Sequence, residues 1–145
     1  MASLATLRAD VWNTLFTSIT AASTTTSIVQ HTNAFPDLKD GNPSFPILII
    51  DNPRPARTLD NNSTSGNNVS RDTEIELTLY CKKGKQVDTI SDALLNYLET
   101  NKDTIFTANN LFQVEMIDGG HTTFYLEDTN KLHEKVILLR FVCLL

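Results

Sequence analysis

The residues with the strongest chemical potential are three histidines, two cysteines and a few acidic side chains. Asp118-Gly119-Gly120-His121 sets a carboxylate and an imidazole on either side of two glycines, and both could ligate a metal. The same four residues also form a hairpin signal, since Gly-Gly suffices for a two-residue turn, and they read as that turn. His31, His121 and His133 are isolated from one another along the chain. A hydrolase triad needs a nucleophile, a base and an orienting acid, and no GxSxG elbow is present to supply the first. Cys81 and Cys143 fall in apolar, strand-like runs where a thiol is inert. Two cysteines without a CxxC or a Cys/His cluster make neither a disulfide framework nor a structural zinc site. Glu74 and Glu76 share one strand face, but as an acid–base pair they would need burial to separate their pKa values. Gly84-Lys85 lacks the upstream glycine and following Ser/Thr of a phosphate loop. The expectation is a chain without catalytic residues, metal or cofactor, and not an enzyme.

Two basic groups remain. Lys82, Lys83 and Lys85 cluster at a strand-to-helix turn, and Arg54, Arg57 and Arg71 bracket a long polar segment. Either could meet nucleic-acid phosphates or an acidic protein surface, and either also fits an ordinary solvated turn. The overall charge of −5 argues against a protein that coats DNA, which needs a basic face. It leaves room for a channel through which DNA merely passes. Arg8, Asp10 and Asn13 interrupt any leader-like apolar stretch, and no apolar run reaches the roughly 20 residues that span a bilayer. Three N-x-[ST] sequons, at Asn61, Asn62 and Asn68, read as chance matches in an Asn/Ser-rich stretch.

The 145 residues suit one α+β domain, 1–145. Residues 4–22 carry an amphipathic helix, with Leu4, Leu7, Val11, Leu15, Ile19 and Ala22 at spacings of three and four. Trp12 lies at the edge of that stripe, where a neighbouring subunit could cover it. A short strand is expected at 27–31 and another at Ile47–Ile50. Residues 52–72 have almost nothing to bury and read as a long Asn/Ser-rich loop. Residues 73–81 alternate Ile75, Leu77, Leu79 and Cys81 with Glu74, Glu76, Thr78 and Tyr80, a strand with one buried face. A second helix is expected over 86–102, with Val87, Ile90, Leu94, Tyr97 and Leu98 as its stripe. Strands at 112–118, 121–127 and 134–145 close the chain. The expected architecture is a small mixed or antiparallel sheet with two helices packed on one face.

The last strand reads Lys-Val-Ile-Leu-Leu-Arg-Phe-Val-Cys-Leu-Leu over 135–145, and only Lys135 and Arg140 are charged. Both of its faces are apolar, which implies cover on both sides. The helices cover one, and the other is covered either by the protein's own loops, as on a central strand, or by a protein partner over Leu138 and Arg140.

A leading helix, short strands ending in Phe45-Pro46-Ile47-Leu48-Ile49-Ile50, a long loop, the strand 74–81, a helix with Ile90, Leu94 and Leu98, and a closing strand through Leu138-Leu139-Arg140-Phe141-Val142 follow one another. In this order the chain resembles the tail terminator (tail-completion, head–tail joining) proteins of long-tailed phages. That resemblance implies a structural virion protein: a homo-oligomer, hexameric in that family, forming a ring in the tail or neck after assembly in the host cytoplasm. The ring would cap the tail tube, stop its polymerisation and join it to the head connector. The implied partners are tail tube protein, head connector or neck proteins and DNA passing through the lumen, with no membrane. On this reading Trp12, Arg54, Arg57, Arg71, Leu138 and Arg140 serve subunit or partner interfaces, and Lys82, Lys83 and Lys85 line the DNA channel. Another neck, head–tail connector or head-completion protein is the alternative, and a small hydrolase or nuclease built on His31 and His121 is the third reading.

Overall fold

The computed structural model describes residues 7–22, 26–34, 45–59, 70–126 and 130–144. In chain order they form helix α1 (Leu7–Ala21), strands β1 (Gln30–Thr32), β2 (Ile47–Ile50), β3 (Arg54–Leu59) and β4 (Ser70–Cys81), helices α2 (Gly84–Thr100) and α3 (Lys102–Ile105), a 3-10 turn at Thr107–Asn109, and strands β5 (Leu111–Leu126) and β6 (Asn130–Leu144). The fold is α+β. Its mixed sheet runs β1-β2-β4-β6-β5, and β3 pairs with β4. Only the β1–β2 pair is parallel.

Period-2 burial builds the sheet's inner face. Thr73, Ile75, Leu77, Leu79 and Cys81 of β4 are buried, while the residues between them are half-exposed. On β6 the buried set is Lys135, Ile137, Leu139, Phe141 and Cys143. Leu77 lies opposite Ile137 and Ile75 opposite Leu139, so the two sets form one apolar floor. Val11, Leu15 and Ile19 of α1, with Val87, Ile90, Leu94 and Leu98 of α2, pack on that floor in a single cluster. Both helices therefore lie on the same face. Of the predicted helical stripes, Val11, Leu15, Ile19, Ala22, Val87, Ile90, Leu94 and Leu98 are buried, Tyr97 packs against the cluster half-exposed, and the Leu7 side chain lies outside the described set. Leu4 and Ser3 lie outside the described residues. The second helix starts two residues earlier than its periodicity indicates and stops at Thr100, where Asn101 bonds its side-chain amide back to the Tyr97 carbonyl at 2.9 Å.

Two expectations about strands are corrected. Gly119-Gly120 does not turn the chain. β5 runs through it as one 16-residue strand, and all of its pairing is with β6. The glycines sit in a bulge, where the register shifts between Asp118 and His121. A bulge and a tight turn both need backbone freedom at glycine, so the residue types alone do not separate them. Gly120 has φ of +90°, and a side chain on Gly119 would meet the Val136 carbonyl oxygen at 2.9 Å.

The segment 52–72 is strand at both ends. β3 pairs Arg54 with Glu74 and Leu59 with Ser70, so β3 and β4 form an antiparallel pair, and residues 60–69 lie outside the described set. Arg-Pro-Ala-Arg-Thr-Leu has no apolar alternation to announce a strand. Pairing to the backbone of β4 holds it there instead, with a register irregularity between Pro55 and Arg57.

Candidate functional site

The outer face of the sheet carries the first candidate surface. On β6, Val136, Leu138 and Val142 point outward and are half-exposed, with Arg140 between Leu138 and Val142. Cross-strand rows extend the pattern. Glu76, Leu138 and Ile117 form one row; Glu74, Arg140 and Glu115 form the next; Asp72, Val142 and Phe112 the third. Ile117 is 39% exposed, one of two large apolar side chains that open on the surface among the described residues. An apolar column thus runs along β6, flanked on the β4 side by acids.

Ion pairs hold the polar members of this face. Arg140 Nε donates to Glu74 Oε1 at 2.8 Å, and that contact, with Glu115 and Asp72 nearby, pushes the guanidinium pKa further up. Arg54 reaches Glu76 at 3.2 Å. These side chains are substantially exposed, so solvent screens them and they set orientation more than stability. Burial first, then the Glu134 hydrogen bond, pushes the Tyr80 hydroxyl above its ordinary range. Among the described side chains of this face, Asp72, Glu74, Glu76, Glu115 and Glu134 outnumber Arg54 and Arg140.

The second surface lies at the other end of the sheet, on the inner side where α2 begins. His121 Nε2 and His133 Nδ1 stand 2.8 Å apart, with Thr123 Oγ1 3.3 Å from the latter. Beside them Lys135 Nζ bridges Asp118 at 2.9 Å and Asp88 at 3.3 Å, tying β5, β6 and α2 together. Lys135 is buried, with 10% of its side chain exposed, and Asp118 first, then Asp88, holds its pKa above the usual range. Asp118 is pulled the opposite way, first by the Gly120 backbone N–H and then by Lys135. Burial, His121 and Lys131 together lower the His133 pKa.

The residues singled out from sequence fall in separate places. Trp12 stacks on Phe16 at 4.5 Å and donates its indole N–H to the Ile50 carbonyl at 2.9 Å, which locks α1 to β2 within the chain. Leu138, Arg140 and Arg54 share the outer face. Arg57 and Arg71 contribute backbone to the β3–β4 ladder, and their side chains lie outside the described set. Lys82, Lys83 and Lys85 are exposed at the β4–α2 turn, Lys82 over the Phe45 ring at 5.4 Å. His31 is remote in register from the other two histidines, on β1. Cys81 and Cys143 are buried free thiols, pushed up to about 12 and about 11 by burial. The sequence reading missed the His121–His133 pair and the Lys135 bridge, which depend on the β5–β6 register and its shift at Gly119-Gly120.

No family model matches the chain, and no curated protein does. Among solved structures, a chain from "Virion of native gene transfer agent (GTA) particle" is similar at 12% identity and a TM-score of 0.40. The match covers 94% of this chain and 93% of that one. The likeness is long but loose. Among the described residues, no three His, Cys, Asp or Glu side chains group as metal ligands, and no helix is long and apolar enough to cross a membrane.

Proposed function

We propose that this chain is a structural virion protein of a long-tailed phage, a tail terminator whose subunits close into a ring on the end of the tail tube. Its work is recognition, with no catalytic step. The observation that carries this reading is the outer face of the sheet. The inner face is spent on the core, yet β6 presents Val136, Leu138 and Val142 on its other side at half exposure. Apolar surface of this kind, rimmed by charged residues, is characteristic of a protein interface.

At the β5 edge the geometry favours contact through this face over strand addition. β5 is one edge of the sheet, opposite β1, and bulges interrupt it after Phe112 and after Asp118. Bulged edges resist pairing with another strand. A ring contact is heterologous, so a different surface of the next subunit must fit the face. Its acidic rim calls for a basic partner surface, and Lys82, Lys83 and Lys85 offer one on the same chain.

Negative-stain imaging of the purified chain, alone and with assembled tail tubes, tests the proposal. Closed rings, or density capping tube ends, are the expected result. A species that stays monomeric and leaves tube ends free at every concentration would overturn it. Binding to a purified head connector but not to tubes would point instead to another neck component.

A further inference from the structure

We propose that His121 and His133 form a binding site for one late first-row divalent metal ion, of the class of Zn²⁺, Ni²⁺ and Cu²⁺. The ion would be held between His121 Nε2 and His133 Nδ1. The site is independent of the ring reading and lies on the opposite side of the sheet from the face that carries it.

The β5 bulge turns His121 to the inner side of the strand, opposite Lys135, while Thr123 lies opposite His133. The two imidazoles are therefore diagonal neighbours on one face. Their rings are tilted by 55° with centroids 5.0 Å apart, so they converge edge to edge at a nitrogen pair 2.8 Å apart. Two nitrogens each about 2.05 Å from one metal lie about 2.9 Å apart at a right angle and about 3.4 Å apart at the tetrahedral angle. The observed 2.8 Å is close to the spacing of two ligands at a right angle on one ion, and tetrahedral coordination would need the rings to part slightly. Without metal, one imidazole donates a proton to the other across this gap, and metal binding would displace that proton.

The surroundings bear on the charge. Asp118 of β5 and Asp88 of α2 converge on the single ammonium of Lys135, which leaves the trio with one net negative charge beside His121. Lys131 of β6 acts in the other direction on His133. Gly84, at the start of α2, lies against both rings: a Cβ there would stand 3.1 Å from His133 Cε1 and 3.6 Å from His121 Cε1. A glycine leaves the space beside the imidazoles clear. Two nitrogen ligands suit the borderline ions and not Mg²⁺ or Ca²⁺, which take oxygen ligands. With no third His, Cys, Asp or Glu grouped with the pair among the described residues, the other positions on the ion would be open to water.

Calorimetric titration of the untagged full chain at pH 7.5 with CuCl₂, NiCl₂, ZnCl₂ and MgCl₂ tests this. One ion per chain is expected, with Cu²⁺ tightest and no Mg²⁺ binding. His121→Gln and His133→Gln should each weaken Cu²⁺ and Zn²⁺ more than about tenfold, while His31→Gln should not. Imidazole ¹⁵N spectra of the unaltered chain provide a measurement free of folding effects: the His121 and His133 signals should shift or broaden with metal and the His31 signals should stay. No binding of Cu²⁺ and Zn²⁺, or binding that survives the double His121→Gln/His133→Gln variant, would overturn the site. So would spectra in which His31 alone responds.

Discussion

Asp118 and His121 lie on the same face of β5 although they stand three positions apart. In a regular strand an odd spacing sends side chains to opposite faces. Here Asp118 pairs with Ile137 and His121 with Lys135, two inward residues of β6, because the Gly119-Gly120 bulge absorbs one residue. Asp118 thereby reaches Lys135, and His121 reaches His133. The cluster at the head of α2 is a product of that bulge.

The bulge gives a prediction about two adjacent glycines. Gly119 has no room, since a Cβ would lie 2.9 Å from the Val136 carbonyl oxygen and 3.2 Å from its Cβ. Gly120 has open space but a φ of +90°. Gly119→Val should destabilise by about 1–3 kcal/mol through overpacking, and Gly120→Ala by about 1–2 kcal/mol through backbone strain alone. Urea denaturation measures both, and the His121 and His133 signals should move in the Gly119 variant. Equal, negligible losses would mean that β5 does not hold the bulge.

The bulge also explains which parts of the fold were legible. β4 was, because Ile75, Leu77, Leu79 and Cys81 alternate with polar neighbours, and β2 was, because Ile47–Ile50 is a short apolar run. The fold class followed from the order of such elements. β3 was not legible, since Arg54-Pro55-Ala56-Arg57 is held by ladder bonds that leave no mark on residue type. The doubly apolar closing strand pointed to a second apolar face, and Leu138 lies on the side away from the helices. The histidine pair was hidden, because it depends on a register that shifts in the middle of β5.

Lys135 gives a prediction in which packing outweighs charge. Its stem is buried while its partners Asp118 and Asp88 are 45% and 58% exposed in their side chains. Removing the ammonium leaves carboxylates that water can solvate. Lys135→Met, which keeps the volume, should change stability at pH 7 by less than about 1 kcal/mol. Lys135→Ala, which empties the space, should cost about 1–3 kcal/mol. Equal large losses in both would assign the stability to the ion pairs instead.

His31 supplies a pH dependence. Burial lowers its pKa, and its Nε2 finds no hydrogen-bond partner among the described residues. The folded chain then binds fewer protons than the unfolded one just below the ordinary histidine pKa of 6.5. Stability should be level above that value, fall as pH drops through it, and level off below the folded-state pKa. His133, also lowered, adds in the same direction. Urea midpoints at pH 7.5 and 5.5 should therefore differ, and His31→Gln should shrink the difference without removing it. An unchanged difference would clear His31 of any part in it.

Leu138 and Leu139 separate interface from core within two adjacent residues. Leu139 is fully buried on the inner floor, and a charge placed there has no partner. Leu139→Asp should leave no folded protein, since a core Leu→Ala alone costs about 2–5 kcal/mol and an unpaired buried carboxylate costs more. Leu138 faces outward between Glu76 and Ile117. Lysine is the better probe there, because aspartate would oppose Glu76 directly whereas lysine would face an opposite charge. Leu138→Lys should keep the circular dichroism spectrum and lose no more than about 1 kcal/mol of stability. It should nevertheless abolish rings and tube capping, because it puts an ammonium in the middle of the apolar column. Rings that form normally from Leu138→Lys would move the subunit contact away from this face, and a Leu138→Lys chain that unfolds would make the outer side of β6 part of the core.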